Sequence, residues 1–130
     1  MNTADLIWNR AVRFDDMSSF REGDQALHDV SQLTGLADNG GLLHAVGVLG
    51  PADLRAAVAG LRWLGLDSLA NMIEAFALEA GDPDSLPLEL AEELEERGND
   101  LYYGADPDAA VESAFRMRLA EKPDAFAPLH

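Results

Sequence analysis

Carboxylates are the groups in this chain with the numbers and spacing to do chemistry: 24 Asp and Glu stand against nine Lys and Arg and three His, with no cysteine. Thirteen of those acids lie between Glu74 and Glu112, where Arg97 is the sole base, so this stretch carries a net −12 of the chain's −15. Six of them, Glu89, Glu92, Glu93, Glu95, Glu96 and Asp100, would cover roughly 16 Å of a helix, about 3 Å per charge. A DNA strand places one phosphate per about 3.4 Å of axis. Comparable charge density is the physical requirement for standing in for a nucleic-acid backbone. A field of this sign repels nucleic acid and anionic lipid, and it attracts cations and basic protein surfaces.

Other chemistries find little support. Glu92 and Glu96 have the spacing to chelate a divalent cation, but no histidine joins them. His28, His44 and His130 are far apart and lack HExxH or other ligand spacing. His44, in an apolar segment, reads as a core or groove histidine, and His130 is the terminal residue. Asp82, Asp84 and Glu93 suggest a calcium loop, yet Leu86 takes the fifth position and Pro87 the glycine position, so that reading fails. Asn39-Gly40-Gly41 lacks the lysine and preceding strand of a phosphate loop and reads as a helix-terminating turn. Without cysteine there is no thiol nucleophile, thiolate metal site or disulfide. Trp63, Tyr102 and Tyr103 read as core or interface residues, because a base-stacking platform needs a basic groove. The expectation is a non-enzymatic protein with no catalytic residues, no metal and no cofactor, binding neither nucleic acid nor membrane.

The elements that must carry these residues are helical almost throughout, with no alternating strand pattern. The chain of 130 residues, 48% hydrophobic, suits one domain over 1–130, an all-α bundle of five to seven helices with antiparallel hairpins. A first helix runs from a Thr3 cap to about Phe14, with Leu6 and Ala11 or Arg10 inward. A charged junction follows, then a helix over about Asp24–Ala37 with Leu27, Val30, Leu33 and Leu36 spaced for burial. A short helix covers Leu42–Val48, and Gly50-Pro51 starts the next, whose stripe is Leu54, Val58 and Leu61. Asp67 caps a helix carrying Leu69, Met72 or Ile73, and Phe76, closed by Gly81. Asp106-Pro107-Asp108 starts the last helix, with Val111, Ala114, Phe115 and Leu119 inward and Pro123 at its end. The N-terminus lacks a signal-peptide pattern. The longest apolar run, Gly40–Gly50, falls short of the roughly 20 residues needed to span a bilayer. A cytoplasmic protein is expected.

The acidic helix, from Leu86 to about Tyr102, places Leu90, Leu94 and Leu101 within about 40° of one another and the six carboxylates on the opposite arc. Glu89/Glu93, Glu92/Glu96 and Glu96/Asp100 are like-charge i,i+4 pairs, each unfavourable by a few tenths of a kcal/mol and together by about 1 kcal/mol. Such a face has a plain reading as a solubilising surface. Its near-lack of Lys and Arg weighs against that reading, since ordinary surfaces intersperse both signs.

From about Asp24 to Leu119 the order of landmarks resembles the bacterial DNA-mimic protein domain family, a domain long described as of unknown function. The landmarks are Asn39-Gly40-Gly41, a short apolar helix, Leu61-Arg62-Trp63-Leu64-Gly65 and Leu69-Ala70-Asn71-Met72-Ile73-Glu74-Ala75. A Pro/Asp loop and an acidic helix ending at Leu101-Tyr102-Tyr103 complete the order. Residues 1–23 would then be an additional N-terminal helix and junction. Leu42, Leu43 and His44 depart from the aromatic and Gln-aromatic pattern usual after the two glycines, so no role carries over to that helix. The resemblance implies an all-α fold, a homodimer and an acidic surface that occupies the DNA-binding face of a regulatory protein. The nominated partner-binding residues, Glu89, Glu92, Glu93, Glu96 and Asp100, come from charge geometry. The expected partner is a basic DNA-binding regulator. The alternative is a basic toxin such as a nuclease, neutralised in the manner of an immunity protein or antitoxin.

Overall fold

A computed structural model of the chain describes residues 2–13 and 17–129. Six helices follow in order: α1 (Thr3–Val12), α2 (Glu22–Gly40), α3 (Leu42–Trp63), α4 (Asp67–Ala80), α5 (Leu88–Ala105) and α6 (Pro107–Glu121). Single 3₁₀ turns at Pro83–Ser85 and Pro123–Ala125 join or follow them, and no strand occurs among the described residues. The fold is an all-α bundle, as the periodicity requires.

The antiparallel pair of α2 and α3 forms the centre. Leu27, Val30 and Leu33 of α2 and Leu54, Ala57 and Leu61 of α3 are buried. Gly60 sets their closeness: a Cβ there would lie 2.7 Å from the Ala26 carbonyl oxygen and 2.9 Å from a Val30 methyl. Gly41 turns the chain from α2 into α3 at φ 91, a left-handed conformation that a glycine adopts without steric cost. The sequence splits α3 into two helices, and the structure breaks it at Gly50 (φ 76), directly before Pro51. By length and composition α3 could cross a membrane, and its Leu42, Val46, Val58 and Leu61 lie in the core of this bundle while Val48 is exposed.

Several sequence expectations shift by one residue. Asn2, not Thr3, caps α1, its Oδ1 accepting from the Asp5 amide at 2.9 Å. Ile7 and Ala11 are buried while Leu6 is 43% exposed. That is one helical step of about 100° from the face read in sequence. Phe14 lies outside the described residues. Asp67 is the first helical residue of α4, with Leu66 in the cap position and no side-chain cap. Leu36 and Leu119 are only partly buried.

One buried carboxylate, unremarked in sequence, ties the ends of the chain together. Asp24 is 0% exposed and accepts from Arg10 Nη2 at 2.7 Å, from the Arg21 amide at 3.0 Å and from the Ala127 amide at 2.7 Å. Arg10 also donates to the carbonyls of Ala127 (2.9 Å) and Pro128 (3.3 Å), so the C-terminal tail is laced to the α1–α2 junction. Phe126 fills the space beneath it, edge-on to Trp63 (5.8 Å) and Phe115 (5.6 Å), with Trp8 against Phe115 at 5.5 Å. His28 is buried, its Nδ1 2.7 Å from the Ala11 carbonyl and its Nε2 2.8 Å from the Gln32 amide nitrogen. An Nδ1–H tautomer satisfies both contacts, which makes this histidine a strut between α1 and α2.

Candidate functional site

The acidic helix α5 is set in place from both ends. Ahead of it, Asp82 accepts from the Asp84 amide (3.2 Å) and the Ser85 hydroxyl (2.9 Å), fixing the 3₁₀ turn that redirects the chain. Pro87 then precedes the first helical residue, Leu88. At the far end, Asp106 adopts φ 48 and is at once the last cap of α5 and the first of α6, with no side-chain cap hydrogen bond. The anticipated aspartate cap is therefore a left-handed joint between the two helices.

Packing decides which face of α5 points outward. Leu94, Gly98 and Tyr102, four residues apart, are its buried line, whereas Leu90 and Leu101 are 40% and 42% exposed. The expected Leu90–Leu94–Leu101 stripe is thus not the buried one. Gly98 is the reason: a Cβ there would lie 2.7 Å from the Phe76 ring, so α5 packs tightly on α4 at this position. Relative to Leu94 on the wheel, Gly98 and Tyr102 lie at about +40° and +80°, and Leu90 and Leu101 at about −40° and −20°. Seating the helix on Gly98 rotates the inward arc by about 60° from the leucine arc.

That rotation changes the acidic face. Glu89, Glu92, Glu93, Glu95, Glu96 and Asp100 are all exposed. Five of them, Glu89, Glu92, Glu93, Glu96 and Asp100, fall within an arc of about 100° centred almost opposite the buried line. Glu95 does not belong with them: at about +100° from Leu94 it sits on the flank beside Tyr102. The half-exposed Leu90 and Leu101 edge the stripe on the other flank. The one base, Arg97, is held by Glu79 of α4 through Nη1–Oε2 (3.0 Å) and Nη2–Oε1 (2.5 Å), a forked pair that reinforces its charge. Its hydrogen bonds go to α4, and of the five carboxylates only Glu93, one turn before it, adds to the field that holds its charge.

A second acidic group sits where α2, α5 and α6 meet. The Tyr102 hydroxyl donates to Asp38 Oδ1 at 3.1 Å. Asp108, in the first turn of α6, shares a hydrogen bond with the same Asp38 carboxyl. Packing around its carboxyl, then that hydrogen bond and the charges of Asp38 and Asp106, push Asp108 up to about 6. Burial, followed by the Asp38 and Asp108 charges, raises the Tyr102 hydroxyl above the usual phenol range. Sequence reading missed this group because Asp38 lies 64 residues before Tyr102 and further still from Asp108, and no local signal connects it to them.

The remaining nominated chemistry is dispersed. His44 is exposed rather than in the core, its ring over Gly40. His130 lies outside the described residues. Tyr103 is exposed and edge-on to the buried Tyr102 at 5.5 Å, and Trp63 is partly covered, with the Arg118 guanidinium 5.8 Å from its ring centre. Among the described residues no three His, Asp or Glu side chains converge as a metal-holding group. No family model, no curated protein and no solved structure matches this chain, so the acidic stripe stands on its own geometry.

Proposed function

We propose that this protein is a non-enzymatic DNA mimic that binds a basic, DNA-binding regulator through the carboxylate stripe of α5. The observation that carries the reading is that stripe: five exposed carboxylates on one arc, opposite the buried Leu94–Gly98–Tyr102 line. They extend over roughly 16 Å of helix, a pitch close to that of a phosphate backbone. The exposed Leu90 and Leu101 beside them offer apolar contact area of the kind protein interfaces bury and DNA lacks. The order of landmarks from Asp24 to Leu119 that resembles the DNA-mimic family is in keeping with this reading and adds a homodimer to the proposal; a cytoplasmic location is proposed from the composition.

The test is capture of partners from native cytosol at low salt, elution on a salt gradient and identification by mass. A basic DNA-binding regulator should elute, compete with its DNA site for the protein, and lose affinity steeply with ionic strength. The variant Glu92→Gln, Glu93→Gln, Glu96→Gln should lose that partner. Retention of full affinity by the triple variant would remove α5 from the interface. Recovery of a basic nuclease inhibited by this protein would favour the toxin-neutralising alternative.

A further inference from the structure

An open groove of about 620 Å³ lies away from the acidic stripe, between the bend of α3, the C-terminal half of α4 and the 3₁₀ turn at Pro83–Ser85. Its floor is the buried Val46, Leu54 and Val58, and Leu78, 79% exposed, forms a wall. Gly47, Gly50 and Gly81 line it. A Cβ on Gly50 or Gly81 would touch nothing within 4 Å, and one on Gly47 would only reach Pro83, at 3.6 Å. The break at Gly50 opens the two halves of α3, and the turn at Gly81 takes the chain out of the space α4 would otherwise fill.

We propose that this groove docks a short amphipathic helix of a protein partner, with apolar side chains on the Val46–Leu54–Val58 floor and Lys or Arg residues along the rim. A small ligand is ordinarily 70–90% buried, which an open trough with an outward-facing Leu78 does not provide. A helix that buries only one face suits it. Charge complementarity selects the basic flank. Glu74, which Arg62 also meets at 3.5 Å, and Asp82, whose carboxylate caps the 3₁₀ turn, line the groove. Asp82 begins the linker that leads into α5, so the rim continues the −12 stretch. Arg55 is the one base in the lining. It suits the C-terminal end of the docked helix, where the dipole is negative, and so sets its direction. This surface goes beyond the α5 stripe and needs none of its carboxylates.

The probe is a fluorescein-labelled Leu/Lys peptide of about four helical turns, with leucines at helical period. A scrambled peptide of the same composition is the control. Anisotropy is read in about 0.15 M salt, where the Debye length is about 8 Å and purely surface attraction is screened. The patterned peptide should bind at least tenfold more tightly than the scrambled one, shifting the amide resonances of Gly47, Ala77 and Leu78. Leu78→Ser, at an exposed position, and Gly47→Leu, which fills the trough, should each weaken binding about tenfold with an unchanged circular dichroism spectrum. Gln at Glu92, Glu93 and Glu96 should leave it within about twofold, so failure here is separable from failure of the acidic-face reading. Equal binding of the scrambled peptide, or shifts confined to α5, would overturn the proposal. So would a dimer that Leu78→Ser dissociates, or displacement of the peptide by decanoate, since these would make a second copy or an amphiphile the occupant.

Discussion

Replacing Glu92, Glu93 and Glu96 of α5 by Gln should make the protein more stable while it weakens partner binding, and the opposite signs are diagnostic. The three residues take part in every like-charge i,i+4 pair of the stripe: Glu89/Glu93, Glu92/Glu96 and Glu96/Asp100. Each pair is unfavourable by about 0.2–0.5 kcal/mol, so relief of all three amounts to about 1 kcal/mol. One attraction offsets part of it: Glu93 stands one turn before Arg97 and supports its charge, and the variant also loses that pair. An i,i+4 pair of opposite charge contributes about 0.2–0.5 kcal/mol, which leaves a net gain of about 0.5–1 kcal/mol. All five carboxylates are exposed, and the one base among them, Arg97, is engaged by Glu79. Gln has nearly the helix propensity of Glu, so propensity leaves the sign unchanged. Glu89 is retained because in the first turn of α5 its charge is favoured by the helix dipole. Urea unfolding followed by helical dichroism in low salt should give the net gain of about 0.5–1 kcal/mol, equivalent to roughly 2–4 °C in Tm for a domain of this size. Raising the salt should stabilise the wild type more than the variant, closing the gap as surface charges are screened. A variant no more stable than wild type at low salt would show that the carboxylates do not repel as their spacing requires. The stripe would then lose the property that makes a functional reading preferable to a merely solvated one.

Three other substitutions probe the frame that holds α5. Asp24→Asn removes the charge that accepts from Arg10, Arg21 and Ala127 in a fully buried site, and should cost about 3 kcal/mol or more in urea unfolding, with the C-terminal tail released to proteolysis. Gly60→Ala places a methyl 2.7 Å from the Ala26 carbonyl, a backbone atom that moves only with α2, and should cost about 1–3 kcal/mol despite the better helix propensity of alanine. Asp108 has a folded pKa of about 6 against an ordinary 3.8. Its contribution is therefore full below the unfolded value and lost as pH rises through the folded one. Stability should fall by about 1 kcal/mol between pH 4 and 7, a figure reduced for the exposure of the carboxyl. Asp108→Asn should flatten that part of the pH profile.

The helical class, the turn at Asn39-Gly40-Gly41, the break at Gly50-Pro51 and the positions of Leu27, Val30, Leu33, Leu54, Val58 and Leu61 were legible from the residues themselves. Turn chemistry and a 3.6-residue period act over one or two turns, and every residue they need is near in sequence. The same holds for the acidity of α5, whose carboxylates are contiguous. What failed was orientation. Leu90, Leu94 and Leu101 form as good an apolar stripe as any, but periodicity weighs side chains by type and gives glycine no weight. Gly98 packs tightly because it has no side chain, which admits the Phe76 ring, and Tyr102 is buried with its hydroxyl received by Asp38. Leu6 and Ile7 were exchanged for a related reason: α1 is docked by Arg10 onto Asp24, a bond between helices.

By itself, then, the sequence determined an all-α chain with a dense, almost uncompensated run of carboxylates on one helix, because charge and helical period are local properties. Only the tertiary structure decided which carboxylates share a face, that Glu95 is not among them, that Asp38 and Asp108 meet, and that an apolar groove stays open beside Gly47, Gly50 and Gly81. Those outcomes depend on close approach between helices distant in sequence, where a missing side chain matters as much as one that is present.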